Sequence, residues 1–85
     1  MIVSDVATDL VLYTTRTCGQ CLALKSWLKR QRVAFREVNV EDDPEARRFV
    51  RVRAGGYLSV PTVVLPNGSV LVEPTHHELA AALAT

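Results

Sequence analysis

The sequence is short of most things that mark specialised proteins. It has only two cysteines in 85 residues, too few for the disulfide framework that staples a small secreted domain. Basic and acidic side chains nearly cancel, giving a formal charge of +1. That argues against nucleic-acid binding through counterion release, which requires a strongly basic face, so no nucleic-acid partner is expected. No apolar run approaches the length of a bilayer span, and the opening Met1-Ile2-Val3-Ser4-Asp5 has neither the basic nor the apolar region of a secretory leader. No membrane association is expected, and the predicted location is cytoplasmic. There are no repeats, linkers or low-complexity segments. Glycine and proline, four of each, are sparse enough to act as punctuation.

What is present is a chain with 48% hydrophobic residues, enough for one genuine core and too short for two. Residues 1–85 are therefore read as a single domain. Residues 1–9 show no period and read as an irregular lead-in. Leu10-Val11-Leu12-Tyr13-Thr14 is a β-rich run suited to a buried central strand. After Thr15-Arg16-Thr17 a helix is predicted from Cys18, with Cys21, Leu24 and Leu28 on its inner face, ending near Arg32. Phe35 to Val40 reads as a second strand. Asp43 before Pro44 is an N-cap followed by proline at the first helical position, and Gly55-Gly56 closes that helix. Pro61 to Leu65 and Val70 to Val72 are strands joined through Pro66-Asn67-Gly68-Ser69, where Asn-Gly favours a type I′ turn. Thr75 and Glu78 have capping-box spacing and open a last helix through Leu79 and Leu83. The order β-α-β-α-β-β-α predicts an α/β fold: a four-stranded mixed sheet flanked by three helices.

The chemistry is carried by Cys18-Gly19-Gln20-Cys21 between a buried strand and a helix. Cys18 falls at the helix N-terminus, where unpaired amide N–H groups and the positive end of the helix dipole favour a thiolate. Cys21 lies one turn further in. A thiolate at the exposed position attacks a disulfide, and the sheltered thiol resolves the adduct. Two inert buried cysteines are the plainer alternative. A zinc site would need two more ligands, and His76 and His77, adjacent on a helix, diverge by about 100°. Val60-Pro61 opens a strand, where base rates favour a trans bond.

Tyr13-Thr14-Thr15 before Cys18-Gly19-Gln20-Cys21, with Val60-Pro61-Thr62 and Asn67-Gly68 further on, resembles the glutaredoxin-like proteins of the thioredoxin superfamily, the mycoredoxins of actinobacteria most of all. The resemblance spans Leu10 to Leu83. It implies a thioredoxin fold, a cis Pro61 facing the cysteines, a dithiol oxidoreductase with Cys18 and Cys21 catalytic, and no bound cofactor. A low-molecular-weight thiol (glutathione, mycothiol or bacillithiol) is the implied co-substrate, and disulfide-containing proteins are the implied clients of a monomer. Gln20 and Gly56-Tyr57-Leu58 are also similar to redoxins that thioredoxin reductase reduces and that donate electrons to ribonucleotide reductase. Some relatives instead carry an iron–sulfur cluster between two protomers.

Departures from the family pattern are the central Gly-Gln dipeptide, Thr17 where an aromatic is frequent, and Glu73-Pro74-Thr75-His76 where glutaredoxins carry a Gly-Gly element against glutathione. Around the cysteines, Arg16 is a candidate to lower the Cys18 pKa or to steer an anionic substrate. Val60 and Pro61 are candidates to present backbone to a substrate, and Thr75 and His76, opening the last helix, to bind one. Trp27 reads as a packing residue, and Tyr13 either lines the active-site groove or fills the sheet. Arg47, Arg48, Arg51 and Arg53 read as a solvated face opposed by nearby carboxylates and are assigned no catalytic role.

Overall fold

Residues 10–84 are described by the structure, a computed structural model; the lead-in expected over residues 1–9 lies outside them. Along the chain run β1 (Leu10–Thr14), α1 (Gly19–Arg30), β2 (Phe35–Asn39), α2 (Pro44–Arg53), β3 (Thr62–Val64), β4 (Val70–Val72) and α3 (His76–Leu83). The strands lie in the order β2-β1-β3-β4. β1 and β2 are parallel and joined across α1, whereas β1–β3 and β3–β4 are antiparallel. This is the mixed four-stranded sheet with three helices that the sequence predicts.

The alternation of each strand divides the core between the two faces. Leu10 and Leu12 of β1, with Val63 and Leu65, pack against Leu24 and Leu28 of α1 and Leu79 of α3. On the opposite face Val40, with Ala46 and Val50 of α2, gathers Tyr13, Val38, Phe49, Leu58 and Val60. Each fully buried aliphatic side chain contributes about 1.5–3 kcal/mol. The first cluster, with seven buried members to three in the second, is thus the main anchor of α1.

Local chemistry sets where each helix starts and stops. Cys18 is the N-cap of α1, Asp43 caps α2 by accepting from the Ala46 N–H at 3.1 Å, and Thr75 and Glu78 form a complete capping box on α3. α1 stops at Arg30, two residues short of the predicted end. Arg32 takes a left-handed backbone (φ 58°), and the Val33 N–H returns to the Leu28 carbonyl at 3.0 Å, closing the helix. β2 stops at Asn39, although the Val40 N–H still bonds the Thr14 carbonyl at 2.9 Å.

The β3–β4 turn differs from the predicted type I′. A type I′ turn needs positive φ at both central residues. Here Gly68 has φ 92° and Asn67 does not have a positive φ. The Gly68 N–H bonds the Leu65 carbonyl at 2.8 Å and the Leu65 N–H bonds the Ser69 carbonyl at 2.8 Å, so the loop has three residues. Pro66, with φ fixed near −65° (about the type I value), takes the first central position, Asn67 the second, and Gly68 the left-handed bulge.

Two arginines of α2 have partners other than the expected carboxylates. Arg47 Nη1 donates to the backbone carbonyls of Val40 (3.0 Å) and Glu41 (3.3 Å), and the Arg53 guanidinium lies 5.1 Å from the Phe49 ring centre. Carbonyls and a ring, not carboxylates, meet these two, while Arg48, Arg51 and Arg53 are exposed as a solvated face should be.

Candidate active site

Cys18 and Cys21 are joined by a disulfide, with their Cα atoms 5.2 Å apart, at the C-terminal end of β1 where α1 begins. The two sulfurs are not equivalent. Cys18 is half-buried in the N-cap position, and its Sγ accepts from the Cys21 N–H at 2.9 Å. Cys21, one turn in, is only 2% exposed. In the reduced pair the same N–H and the positive helix end favour negative charge on Cys18, while burial disfavours it on Cys21. The arrangement can open and close a disulfide with one accessible and one sheltered sulfur.

Two grooves flank the pair. The first has Thr15, Arg16, Thr17, Cys18 and Cys21 in its wall, with Lys25 and Glu37 beyond them. Arg16 is thus beside Cys18, but its guanidinium is engaged. Nη2 donates to both Asp42 oxygens at 2.8 Å, Nη1 donates to Glu41 Oε1 at 3.2 Å, and the Arg16 N–H donates to the same Glu41 oxygen at 2.9 Å. Hydrogen bonding to Asp42, with the charges of Asp42 and Glu41, pushes the Arg16 pKa above its ordinary value. Behind Cys21, Glu37 accepts from the buried Thr14 hydroxyl at 2.8 Å and from Lys25 Nζ at 3.1 Å. The Thr14 hydrogen bond, aided by Lys25 and Lys29, outweighs partial desolvation and holds the Glu37 carboxyl below its ordinary value.

The second groove runs from Gln20 and Ala23 of α1 to Pro61 and the Glu73–His76 segment. The Val60–Pro61 bond is cis. The loop carrying it is held from both sides: Thr62 Oγ1 donates to the Ser59 carbonyl at 2.7 Å, and the Glu73 N–H donates to the Pro61 carbonyl at 2.7 Å. The register pairing Tyr13 with Thr62 sets Pro61 opposite the end of β1, hence near the helix start. Thr75 and His76 line this groove, whereas Val60 packs into the α2-side core. The His76 ring stacks on Trp27 with centres 5.4 Å apart, so Trp27 both packs on the core and backs the groove. Tyr13 faces Phe49 across the sheet from α1, and burial raises its pKa.

The sequence candidates therefore separate into Arg16, Cys18 and Cys21 on one side and Pro61, Thr75 and His76 on the other. Glu37, Lys25 and Thr14 were not among them. A period-two reading of β2 puts Glu37 on the same face as Phe35, toward α1, where a lone carboxylate needs a partner. Among the described residues no three His, Cys, Asp or Glu side chains converge as metal ligands, and no helix is long and apolar enough to cross a membrane.

Known proteins are similar to this chain in sequence and fold. Residues 10–71 match the glutaredoxin family model. A glutaredoxin-type protein of Mycobacterium tuberculosis strain H37Rv is 41% identical over 78 residues, which is 92% of this chain and 93% of the relative. The glutaredoxin-like protein NrdH of Lactococcus lactis subsp. cremoris is 33% identical over 55 residues, 64% of this chain and 72% of that protein. The crystal structure of the thioredoxin-like protein BC3987 superposes with a TM-score of 0.75 at 32% identity, covering 86% of this chain and 97% of that one.

Proposed function

The chain belongs to the glutaredoxin family, has the thioredoxin fold and is a thiol–disulfide oxidoreductase, and from that premise we propose that it reduces mixed disulfides through Cys18 as nucleophile and Cys21 as resolving thiol. The observation that carries the reading is the asymmetry of the pair, one sulfur half-buried on the helix cap and the other 2% exposed beneath it. In the forward reaction the Cys18 thiolate bonds one sulfur of the substrate, the substrate S–S bond breaks, and the first thiol leaves with the electron pair. The Cys21 thiolate then attacks Cys18 Sγ, expelling the second thiol and leaving the Cys18–Cys21 disulfide, so substrate gains two electrons and the protein loses two. A low-molecular-weight thiol can release the adduct instead of Cys21. Two equivalents of the same small thiol, as co-substrate, return the protein to the dithiol and leave as their own disulfide. Pro61, Thr75 and His76 form the wall along which the substrate's non-leaving part would lie, and the domain acts as a monomer on disulfide-bearing protein clients in the cytoplasm.

A second reading, reduction by thioredoxin reductase and donation to ribonucleotide reductase, is supported by the similarity of Gln20 and Gly56–Leu58 to such redoxins and by the identity with NrdH. One experiment separates them. NADPH consumption is followed during reduction of a model mixed disulfide, with a small-thiol reductase system in one arm and thioredoxin reductase alone in the other. Turnover confined to the small-thiol arm supports the first reading, and turnover with thioredoxin reductase alone replaces it with the second.

A further inference from the structure

The groove beside Pro61, about 190 Å³ in volume, holds a charge arrangement that the exchange chemistry does not use. An incoming carboxylate would ordinarily find its donors at a helix N-terminus. At the start of α3 two of those donors are already engaged within the chain: Glu78 Oε1 accepts from the Thr75 N–H at 2.8 Å, while the Glu78 N–H donates to Thr75 Oγ1 at 3.0 Å. Glu73 adds a second carboxylate. It lines the groove itself, its backbone is left-handed with φ 48°, and its N–H is bound to the Pro61 carbonyl at 2.7 Å, which fixes the residue at the groove wall. Its side chain makes no ion pair among the described residues, and no lysine or arginine lines the groove. The cation on the other side of the disulfide, Arg16, is neutralised by Asp42 and Glu41.

Resting on the reading above, we infer that Glu73 is a specificity-determining residue that makes this groove select small-thiol moieties by charge, taking those that present ammonium or hydroxyl donors and disfavouring those that carry a carboxylate. A moiety held on Cys18 and lying past Gln20 toward Thr75 brings its polar end to Glu73. There a donor meets an acceptor outside any ion pair among the described residues, and a carboxylate meets a like charge.

The test uses the reduced full chain and three mixed disulfides, each joining the same coloured nitrothiobenzoate thiol to cysteamine, mercaptoethanol or thioglycolate. The Cys18 thiolate bonds the alkyl sulfur, the S–S bond breaks and the coloured thiolate, the better leaving group, departs with the electron pair. Each rate is divided by that of dithiothreitol with the same probe, which removes intrinsic reactivity. The normalised cysteamine rate should exceed the thioglycolate rate by about threefold, with mercaptoethanol between, as expected for one exposed charge interaction. Added salt should shrink the ratio. Glu73→Gln, and Glu73→Gly as a second variant that tolerates the left-handed backbone, should bring it close to one. A ratio unaltered by either substitution, or a thioglycolate preference in the parent protein, overturns the inference. Charge-independent release in the parent overturns the inference alone, whereas no release from any probe overturns the Cys18 reading as well.

Discussion

The two grooves beside the disulfide are built on opposite electrostatic plans. On the Arg16 side every charge is matched: Arg16 with Asp42 and Glu41 at 2.8 and 3.2 Å, and Lys25 with Glu37 at 3.1 Å. On the Pro61 side Gln20, Glu73 and His76 line the wall, and none of them enters an ion pair among the described residues. Exposed ion pairs contribute little to stability. Their effect on the first side is positional: Glu41 grips both the N–H and the guanidinium of Arg16, two residues before Cys18, and ties the loop to the end of β2. A wall whose charges are satisfied holds the sulfurs in place, and a wall whose polar groups are unmatched is free to meet a ligand.

The largest effect that bears on this contrast is loss of the Cys18 sulfur, which lines the first groove. Cys18→Ser should abolish reduction of mixed disulfides in the NADPH-coupled assay, while Cys21→Ser should retain turnover of small-thiol substrates through the external thiol. Equal loss in both variants would mean that the buried sulfur takes part in every turnover.

Thr14→Val should cost about 1 kcal/mol at neutral pH, because it removes the hydrogen bond to Glu37 while keeping the buried volume. Its pH dependence has a defined sign. Glu37 titrates below its ordinary value of 4.5 in the folded protein, so the stability it contributes is complete above 4.5 and is lost as the pH falls through the lowered folded value. Urea unfolding across that range should therefore show the parent and Thr14→Val converging in acid. A difference that stays constant with pH would assign Thr14 to packing alone. Smallest of all, Arg16→Ala should leave the melting temperature nearly unchanged and increase proteolytic nicking of the 15–17 loop. A large fall in melting temperature would show that the first wall carries stability and not only position.

Much of this was readable in the sequence because it is local. Asp43-Pro44 and Thr75-His76-His77-Glu78 specify helix starts through atoms only a few residues apart, and both caps form as predicted. The placement of Cys18-Gly19-Gln20-Cys21 between strand and helix follows from β1 and α1 alone. Other features depend on competition or on distant pairing. At the hairpin, Asn67-Gly68 signals one turn and Pro66 fits another, and the proline's fixed φ prevails. Glu37 hides inside a strand pattern until the parallel register with β1 brings it to Thr14 and Lys25. The stacking of His76 on Trp27 joins α3 to α1, which no spacing rule connects. Arg47 and Arg53 found carbonyl oxygens and a ring because these lie within reach on the same side of the sheet, and composition does not distinguish those partners from carboxylates.

The central claim is that the two sulfurs differ in kind, Cys18 accessible and helix-stabilised and Cys21 sheltered. Its most direct test is partial alkylation of the fully reduced protein by iodoacetamide at mildly acidic to neutral pH, with the modified residue located by peptide mass spectrometry. Cys18 is expected to be modified first, and Cys21 to stay unmodified until the protein is unfolded. Modification of Cys21 first, or of both at the same rate, would contradict it.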